Sequence, residues 1–292
     1  MFWQQLINGL TLGSSYALIA LGYTMVYGIV QMINFAHGDV FMIGAFAGLF
    51  MVTVLKVNLL VAVIGAMAFC MLLGVIIERV AYRPLRARGS RLSALISAIG
   101  VSIFLSTLIS LIRGPSTTRY PASVFPQTQV NLGFIHVSNI QVWILVLTAL
   151  IMIVLQLLVH RSRMGKAMRA CSEDLDAARL MGVNVNGVIS FTFALGSALA
   201  AIGGVMVGIY YNAVFPTMGL MVGLKAFAAA VLGGIGSIPG ALAGGLILGT
   251  LEIFGVAYLA SSYKDAIAFG ILILVLLLRP QGILGKPVTK KV

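Results

Sequence analysis

Runs of uncharged apolar residues long enough to cross a bilayer constrain this chain more than any other feature. A helical crossing needs about 17 to 25 mostly apolar residues. Residues 6–30, 59–77, 92–112, 140–159 and 187–211 each contain no Asp, Glu, Lys or Arg. Residues 40–55 are fewer but equally free of charge, and local bilayer thinning absorbs a modest mismatch, so they count as a further span. From residue 221 the pattern changes. Leu232-Gly233-Gly234-Ile235-Gly236-Ser237-Ile238-Pro239-Gly240 sets four glycines and a proline inside an apolar stretch, which breaks a helix. Segments 221–232 and 239–258 result, followed by a last span over 265–278. The expected fold is all-α: a polytopic transmembrane bundle of eight or nine segments, depending on whether 221–232 crosses fully.

Composition excludes the soluble alternatives. Sixty per cent of the 292 residues are hydrophobic and 9% are charged, where a soluble domain carries about 25% charge. The missing polar surface must face lipid. The longest polar stretches, 113–139 and 160–186, are too brief to hold a folded catalytic unit, so residues 1–292 read as one transmembrane domain. Met1 to Gln5 carry no basic side chain, so the first apolar segment reads as a permanent span and not as a cleaved signal. Cys70 and Cys171 are the only cysteines, which leaves no disulfide framework and no CxxC metal motif.

Positive residues in short loops stay on the cytoplasmic side. Arg79, Arg83, Arg86, Arg88 and Arg91 follow the third span. Arg161, Arg163, Lys166, Arg169 and Arg179 follow the fifth, and Arg279, Lys286, Lys290 and Lys291 follow the last. These segments and the C-terminus are expected in the cytoplasm, and 113–139, with prolines at 115, 121 and 126, outside. Nine crossings put the N-terminus outside, eight inside. The net charge of +12 needs no nucleic acid, because cytoplasmic loops beside anionic lipid favour such a bias.

Catalytic sets are missing. The three histidines, His37, His136 and His160, lie on separate loops or span ends, and the sequence holds no HExxH, GxSxG or GxxxxGK[ST]. No metal site and no cofactor is expected, and the chain has no ATP-binding motif of its own. Ionisable residues near the spans reduce to Asp39, Lys225, Glu252 and Asp265, a thin set for an ion-coupled pump. Glu252 lies about 20 Å along a helix from Pro239, and Lys225 at a similar depth can pair with it. The pair reads either as structural or as a gate or substrate contact.

The most informative loop is 161–182. Read as a helix from Lys166, it places Met168, Cys171, Leu175 and Ala178 on one stripe, with Arg169, Glu173, Asp176 and Arg179 largely elsewhere and Gly182 as the stop. One reading is an amphipathic linker on the headgroups. Yet Glu173, Asp174 and Asp176 are three of the seven acids in the chain, and anionic lipid would repel them. Docking to a protein that drives the spans is the stronger reading.

Glycine pairs at small-xxx-small spacing, Gly44/Gly48, Gly204/Gly208, Gly240/Gly244 and Gly245/Gly249, indicate close helix packing. Asn34-Phe35-Ala36-His37-Gly38-Asp39 interrupts the apolar pattern before a helix expected near Val40. Its side chains either cap that helix, with Asp39 at its positive end, or line a pathway. Leu12-Gly13-Ser14 and Leu195-Gly196-Ser197 hint at a two-fold internal repeat.

Taken together, several segments resemble the permease family of bacterial ABC importers for branched-chain amino acids. They are Asn8-Gly9-Leu10 through Leu21-Gly22-Tyr23, Asn34 to Asp39, Glu78-Arg79-Val80-Ala81-Tyr82-Arg83-Pro84-Leu85-Arg86, Ala177 to Asn184, and Gly233 to Gly240. Shortness and the lack of long extensions look like the H-type partner of a permease pair. The resemblance implies translocation of Leu, Ile or Val, or else of another amino acid, an amide or urea, across the bacterial inner membrane. It implies a second related permease, two cytoplasmic ABC ATPases and an external substrate-binding protein. By the same resemblance Gly165 to Gly182 contains the coupling helix, and 113–139 faces the binding protein. A stand-alone carrier or channel is the rival from another class.

Overall fold

The computed structural model describes residues 1–87, 91–121, 124–125, 128–131 and 135–285. Arg88, Lys286, Lys290, Lys291, Pro126 and the rest of 122–123, 126–127 and 132–134 lie outside them, so the expectations resting on those residues have no structural counterpart here. The chain begins with α1 (Phe2–Val30), α2 (His37–Thr53) and α3 (Leu59–Ile77), continues through a π-helical turn (Glu78–Tyr82) into α4 (Arg83–Ala87), and then forms α5 (Arg91–Arg113). Strands β1 (Gln129–Asn131) and β2 (His136–Ser138) pair antiparallel, a small addition to the expected all-α fold. After them come α6 (Asn139–Arg161), α7 (Arg163–Glu173), α8 (Leu175–Leu180) and α9 (Val185–Tyr210). The chain closes with α10 (Met218–Gly233), α11 (Ile238–Tyr258) and α12 (Lys264–Leu278).

Among the described residues, seven helices have the length and apolarity to span a bilayer. Two more, α2 and α10, are apolar but have only 17 and 16 residues, short of the roughly 20 a crossing needs. The nine apolar helices are the nine segments of the higher sequence count.

The layering inverts that of a soluble protein. Helices α1 and α9 are buried along most of their length, whereas α3, α5, α6 and α12 turn large side chains such as Leu60, Ile103, Trp143 and Leu277 outward. In lipid no hydrophobic gain drives helices together, so close packing of small residues must do it. The glycine pairs lie in these seams. Gly44 and Gly204 bring α2 onto α9, Gly240 and Gly244 bring α11 onto α10, and Gly245 and Gly249 bring α11 onto α1. A methyl added at Gly13 would stand 2.7 Å from the Gly245 carbonyl oxygen.

The packing also repeats. Helix α1 lies on α11 and α10, α9 lies on α3 and α2, and α1 meets α9 while α2 meets α10 at the centre. With the hairpins α2–α3 and α10–α11, this set of neighbours is unchanged when α1, α2, α3 are exchanged for α9, α10, α11. The two Leu-Gly-Ser strings sit in the equivalent helices α1 and α9.

Both ends of the bundle can be traced. At one end the Gln4 side chain donates to the His136 carbonyl at 2.9 Å, so the start of α1 and the 113–139 segment lie together. At the other, Ile283 N–H donates to the Leu232 carbonyl and Leu284 N–H to that of Gly233, both at 2.9 Å, so the tail after α12 lies on the α10–α11 turn.

Candidate functional site

Two interrupted helices define the centre of the molecule. After α1 the chain runs without helix from Gln31, and α2 starts only at His37, whose ring packs on the Gly22 backbone and close to Gly196. At 1.5 Å per residue that point is about 12 Å from the Val30 end of α1 and about 17 Å from the Val185 end of α9, well inside the bilayer span. Helix α10 likewise starts late, after the non-helical stretch 211–217. The first turns of α2 and α10 meet backbone to backbone. A Cβ built on Gly219 would stand 2.9 Å from the Asp39 Cα, and one on Gly223 2.9 Å from the Gly38 Cα. Only glycine allows this approach.

The structure corrects the capping expectation. Helix α2 begins three residues before Val40, its N-cap is Ala36, and no side chain caps it. Tertiary contact holds this start in place of a local cap. Tyr82, from the π-helical turn, donates its hydroxyl to Asn34 Oδ1 at 2.9 Å, and the Tyr23 ring meets His37 edge-on with centroids 4.8 Å apart. Asp39 lies in the first turn, 1% exposed; Ser102 of α5 is the side-chain donor beside its carboxyl, and among the described residues its Oδ2 has no hydrogen-bond partner. It lines a cleft of about 420 Å³ with Ser102 and Ser106 of α5 and with Thr217. Apolar walls come from Phe35, Ile99, Ile103, Leu220 and Leu224. Non-helical backbone at membrane depth is tolerated where it is buried in protein, as Asn34 and Ala36 are.

The five pathway candidates fall into two groups. Asn34, His37 and Asp39 gather at the α2 start. Lys225 and Glu252 lie elsewhere and form the expected pair, with Nζ 2.9 Å from Oε1. Glu252 is fully buried, accepts from the Tyr16 hydroxyl at 3.0 Å, and has Lys264 at 3.4 Å. Lys225 also reaches Asp265 at 2.7 Å. Two cations thus face two carboxylates where α1, α10, α11 and α12 meet, with Lys225 and Glu252 buried and Lys264 and Asp265 at the exposed edge.

A third buried acid has no site role in the sequence reading. Glu78 is fully buried at the π-helical turn, and Arg83 pairs with it at 3.1 Å. Ser190 of α9 donates to it at 2.7 Å, and Arg86 approaches at 3.7 Å while also binding Asn186. The signal lay in one acid among five arginines, which looks like a solvated charge run until the five-residue offset to Arg83 is placed on a π turn.

The 161–182 loop folds as two helices, not one. Ser162 caps α7 by accepting from Gly165 N–H at 2.9 Å, so that helix begins before Lys166. Asp174 then takes the N–H groups of Asp176 and Ala177 at 2.9 and 3.0 Å, which ends α7 and caps α8. An Asp side chain competes with the helix for backbone donors in this way. The apolar stripe faces inward. Met168, Cys171 and Ala178 are buried and Leu175 is half-buried, with α7 lying on α1, α6 and α9. Burial pushes the Cys171 thiol up from its usual range. Lys166, Arg169, Glu173, Asp174 and Asp176 are exposed, and so are Leu180 and Met181, at 89% and 84%. Gly182 stops α8 with φ +81°, and Val183 N–H closes back on the Ala178 carbonyl at 3.0 Å.

The Gly/Pro turn lies where the sequence places it. Gly233 ends α10, Gly234 and Gly236 take φ of +100° and +95°, and Ser237 caps α11 by accepting from Gly240 N–H at 3.1 Å, with Pro239 in its first turn. Among the described residues no group of His, Cys, Asp and Glu could hold a metal.

A bundle of apolar helices with two interrupted ones meeting beside a mainly apolar cleft that holds a buried carboxylate defines a polytopic membrane protein of the transporter class. Residues 5–276 match the family described as branched-chain amino acid transport system / permease component, and the chain belongs to that family. It is 49% identical over its whole length, and over 98% of the relative, to the high-affinity branched-chain amino acid transport system permease protein BraD of Pseudomonas aeruginosa. It is 50% identical, with the same coverage, to the permease protein LivH of Escherichia coli strain K12. The ribose import permease protein RbsC of the same organism is 28% identical over 94% of this chain and 84% of that one. Among solved structures, PsaBC from Streptococcus pneumoniae in complex with Fab superposes with a TM-score of 0.53 over 94% of this chain and 91% of that one, at 15% identity, a likeness of fold. The chain is therefore a permease component of an ABC transport system and not a catalytic subunit.

Proposed function

We propose that this chain is one of two related permeases of an ATP-driven importer that carries branched-chain amino acids across the bacterial inner membrane. The carrying observation is the cleft at the meeting of α2 and α10, where Asp39, Ser102, Ser106 and Thr217 face an apolar wall. Polar groups at that depth are costly against lipid and are retained where a polar solute passes. Full-length similarity to permeases named for branched-chain amino acids supports the cargo. The exposed Ile99, Ile103 and Leu220 beside the cleft suit a second permease, which would close the path from the other side.

The ATPases dock on α7 and α8. Their contact surface is the exposed acids with Leu180 and Met181, because the Met168–Cys171–Ala178 stripe is spent on the chain's own packing. Movement of α7 passes straight to α1 and α9, against which it lies. Basic residues around 79–91, 161–179 and 279 put this end and the C-terminus in the cytoplasm. The segment 113–139 then meets the external binding protein. It is fastened over the α9–α10 connection by paired backbone bonds between Thr118 and Val214 at 2.8 and 2.9 Å.

The test is ATP hydrolysis in proteoliposomes holding this chain, the second permease and two ATPases, with leucine-loaded binding protein added. Stimulation that disappears when this chain is left out is the expected result. Stimulation only by a binding protein loaded with another solute would replace the cargo, and failure to assemble with ATPases would favour a stand-alone carrier or channel.

A further inference from the structure

We propose that Asp39 is the ammonium-binding group of the pathway, receiving the α-amino end of the passing amino acid in the cleft between α2, α5 and α10. The proposal rests on the importer reading above and adds a binding site to it.

The first support is an unpaired acceptor. Asp39 is 1% exposed and lines the cleft; Ser102 stands beside its carboxyl as a donor, and among the described residues its Oδ2 has no partner. A buried acceptor without a partner carries a desolvation cost that a passing donor would relieve. The other buried acids differ in this respect. Glu252 and Glu78 each already accept from several donors, with both oxygens engaged.

The second support is the composition of the cleft. An ammonium carries three N–H donors. Asp39 Oδ2 supplies one acceptor, and the Ser102 and Ser106 hydroxyls on the facing helix supply two more. Ser106 donates its own proton to the Ile103 carbonyl at 3.1 Å, which leaves its lone pairs for a cargo.

The carboxylate end has a matching place. Thr217 is the N-cap of α10, yet its hydroxyl makes no capping bond. The α10 N-terminus beside it carries the positive end of the helix dipole, which favours an anion. A zwitterion laid across the cleft would set its ammonium on the α2–α5 side and its carboxylate at α10. Ile103, Leu220 and Leu224 are left to meet an aliphatic side chain.

Two measurements test this. In the assembled proteoliposome system, Asp39→Asn keeps size and loses the charge. It is expected to lower leucine uptake at least tenfold while the subunits still co-purify, and Asp39→Glu is expected to recover part of the loss. Full uptake by Asp39→Asn, in a system where leucine-loaded binding protein stimulates the parent complex, overturns the Asp39 assignment and leaves the importer reading standing. No stimulation of the parent complex would instead count against the branched-chain cargo. The second measurement keeps Asp39 in place and so does not depend on folding of its variants. Ser106→Cys, with Cys70→Ala and Cys171→Ala, is labelled by a water-soluble maleimide in the presence of leucine amide or of isocaproate. Protection by leucine amide, which keeps the ammonium, and none by isocaproate, which lacks it, is the expected result. Equal protection by both, or by neither, overturns the proposal.

Discussion

Replacing Lys225 by Met removes the cation that joins Glu252 to Asp265, and the structure gives the size of the effect. Glu252 has no exposed surface and holds three donors: Lys225 at 2.9 Å, the Tyr16 hydroxyl at 3.0 Å and Lys264 at 3.4 Å. Lys264 is 41% exposed, so solvent weakens its hold. Without Lys225 the carboxylate stays buried with little more than a phenol. Breaking a buried pair from one side costs about 3–5 kcal/mol. Glu252→Gln is milder, at about 1–3 kcal/mol, because Lys225 keeps Asp265 at 2.7 Å and the amide keeps an acceptor for Tyr16. The double replacement Lys225→Met with Glu252→Met removes both charges and leaves a seam of methionine, so its cost should fall below the sum of Lys225→Met and Glu252→Met made singly by about 2–3 kcal/mol. The assay is unfolding of the purified permease in mixed micelles against increasing SDS, followed by the fluorescence of Trp3 and Trp143. Lys225→Met within about 0.5 kcal/mol of the parent, or a double variant equal to the sum, would refute the reasoning.

Gly219→Val pushes a side chain into the α2 backbone at Asp39 and should cost about 1–3 kcal/mol with loss of uptake, whereas Gly100→Val, which meets nothing, should change neither; uptake and the same unfolding assay check both. Leu180→Asp and Met181→Asp should leave the protein in the membrane and reduce co-purified ATPase, while Ala178→Asp, buried against α9, should lower the amount of folded permease itself. Gly236→Ala meets open space and should cost only backbone strain, about 1–2 kcal/mol, whereas Gly234→Ala also meets the 281–285 tail and should cost more. Equal thermal stability of the two glycine variants would contradict the contact between tail and turn.

Five of the nine apolar segments are legible at once because an uncharged window of some twenty residues has few alternatives to a membrane helix, while 40–55 is short and the last three each carry one charge. The Gly/Pro turn is legible for a similar reason, since Gly234 and Gly236 take positive φ that few other residues adopt. The start of α2 is not. Capping rules placed it at Val40, yet the helix begins at His37 because Gly38 rests on α10 and Tyr82 holds Asn34, contacts from distant parts of the chain. Periodicity in the 161–182 loop marks an apolar stripe correctly but says nothing of what the stripe meets. In this bundle it meets α1, α6 and α9, and the apolar residues left outward are Leu180 and Met181 at the end of α8. Tyr16 gives no signal within an apolar run, so its bond to Glu252 emerges only when α1 and α11 are brought together. The role of Asp39 stays open at the level of sequence, because an acid before an apolar helix fits a cap as well as a pathway. The structure keeps Asp39 in the first turn of α2 without a capping bond and leaves its Oδ2 unpaired among the described residues, beside a cleft.

The measurement that bears most directly on the account is cysteine accessibility along the cleft in the assembled transporter. Single cysteines at Ser102, Thr217 and, as a control on the outward face of α6, Val146 would be exposed to a charged, membrane-impermeant thiol reagent with and without leucine-loaded binding protein and ATP. The account predicts labelling at Ser102 and Thr217 that changes as the cycle runs, and none at Val146. Labelling of Ser102 and Thr217 only by a lipid-soluble reagent, unaltered by substrate or ATP, would contradict a translocation path where α2 meets α10.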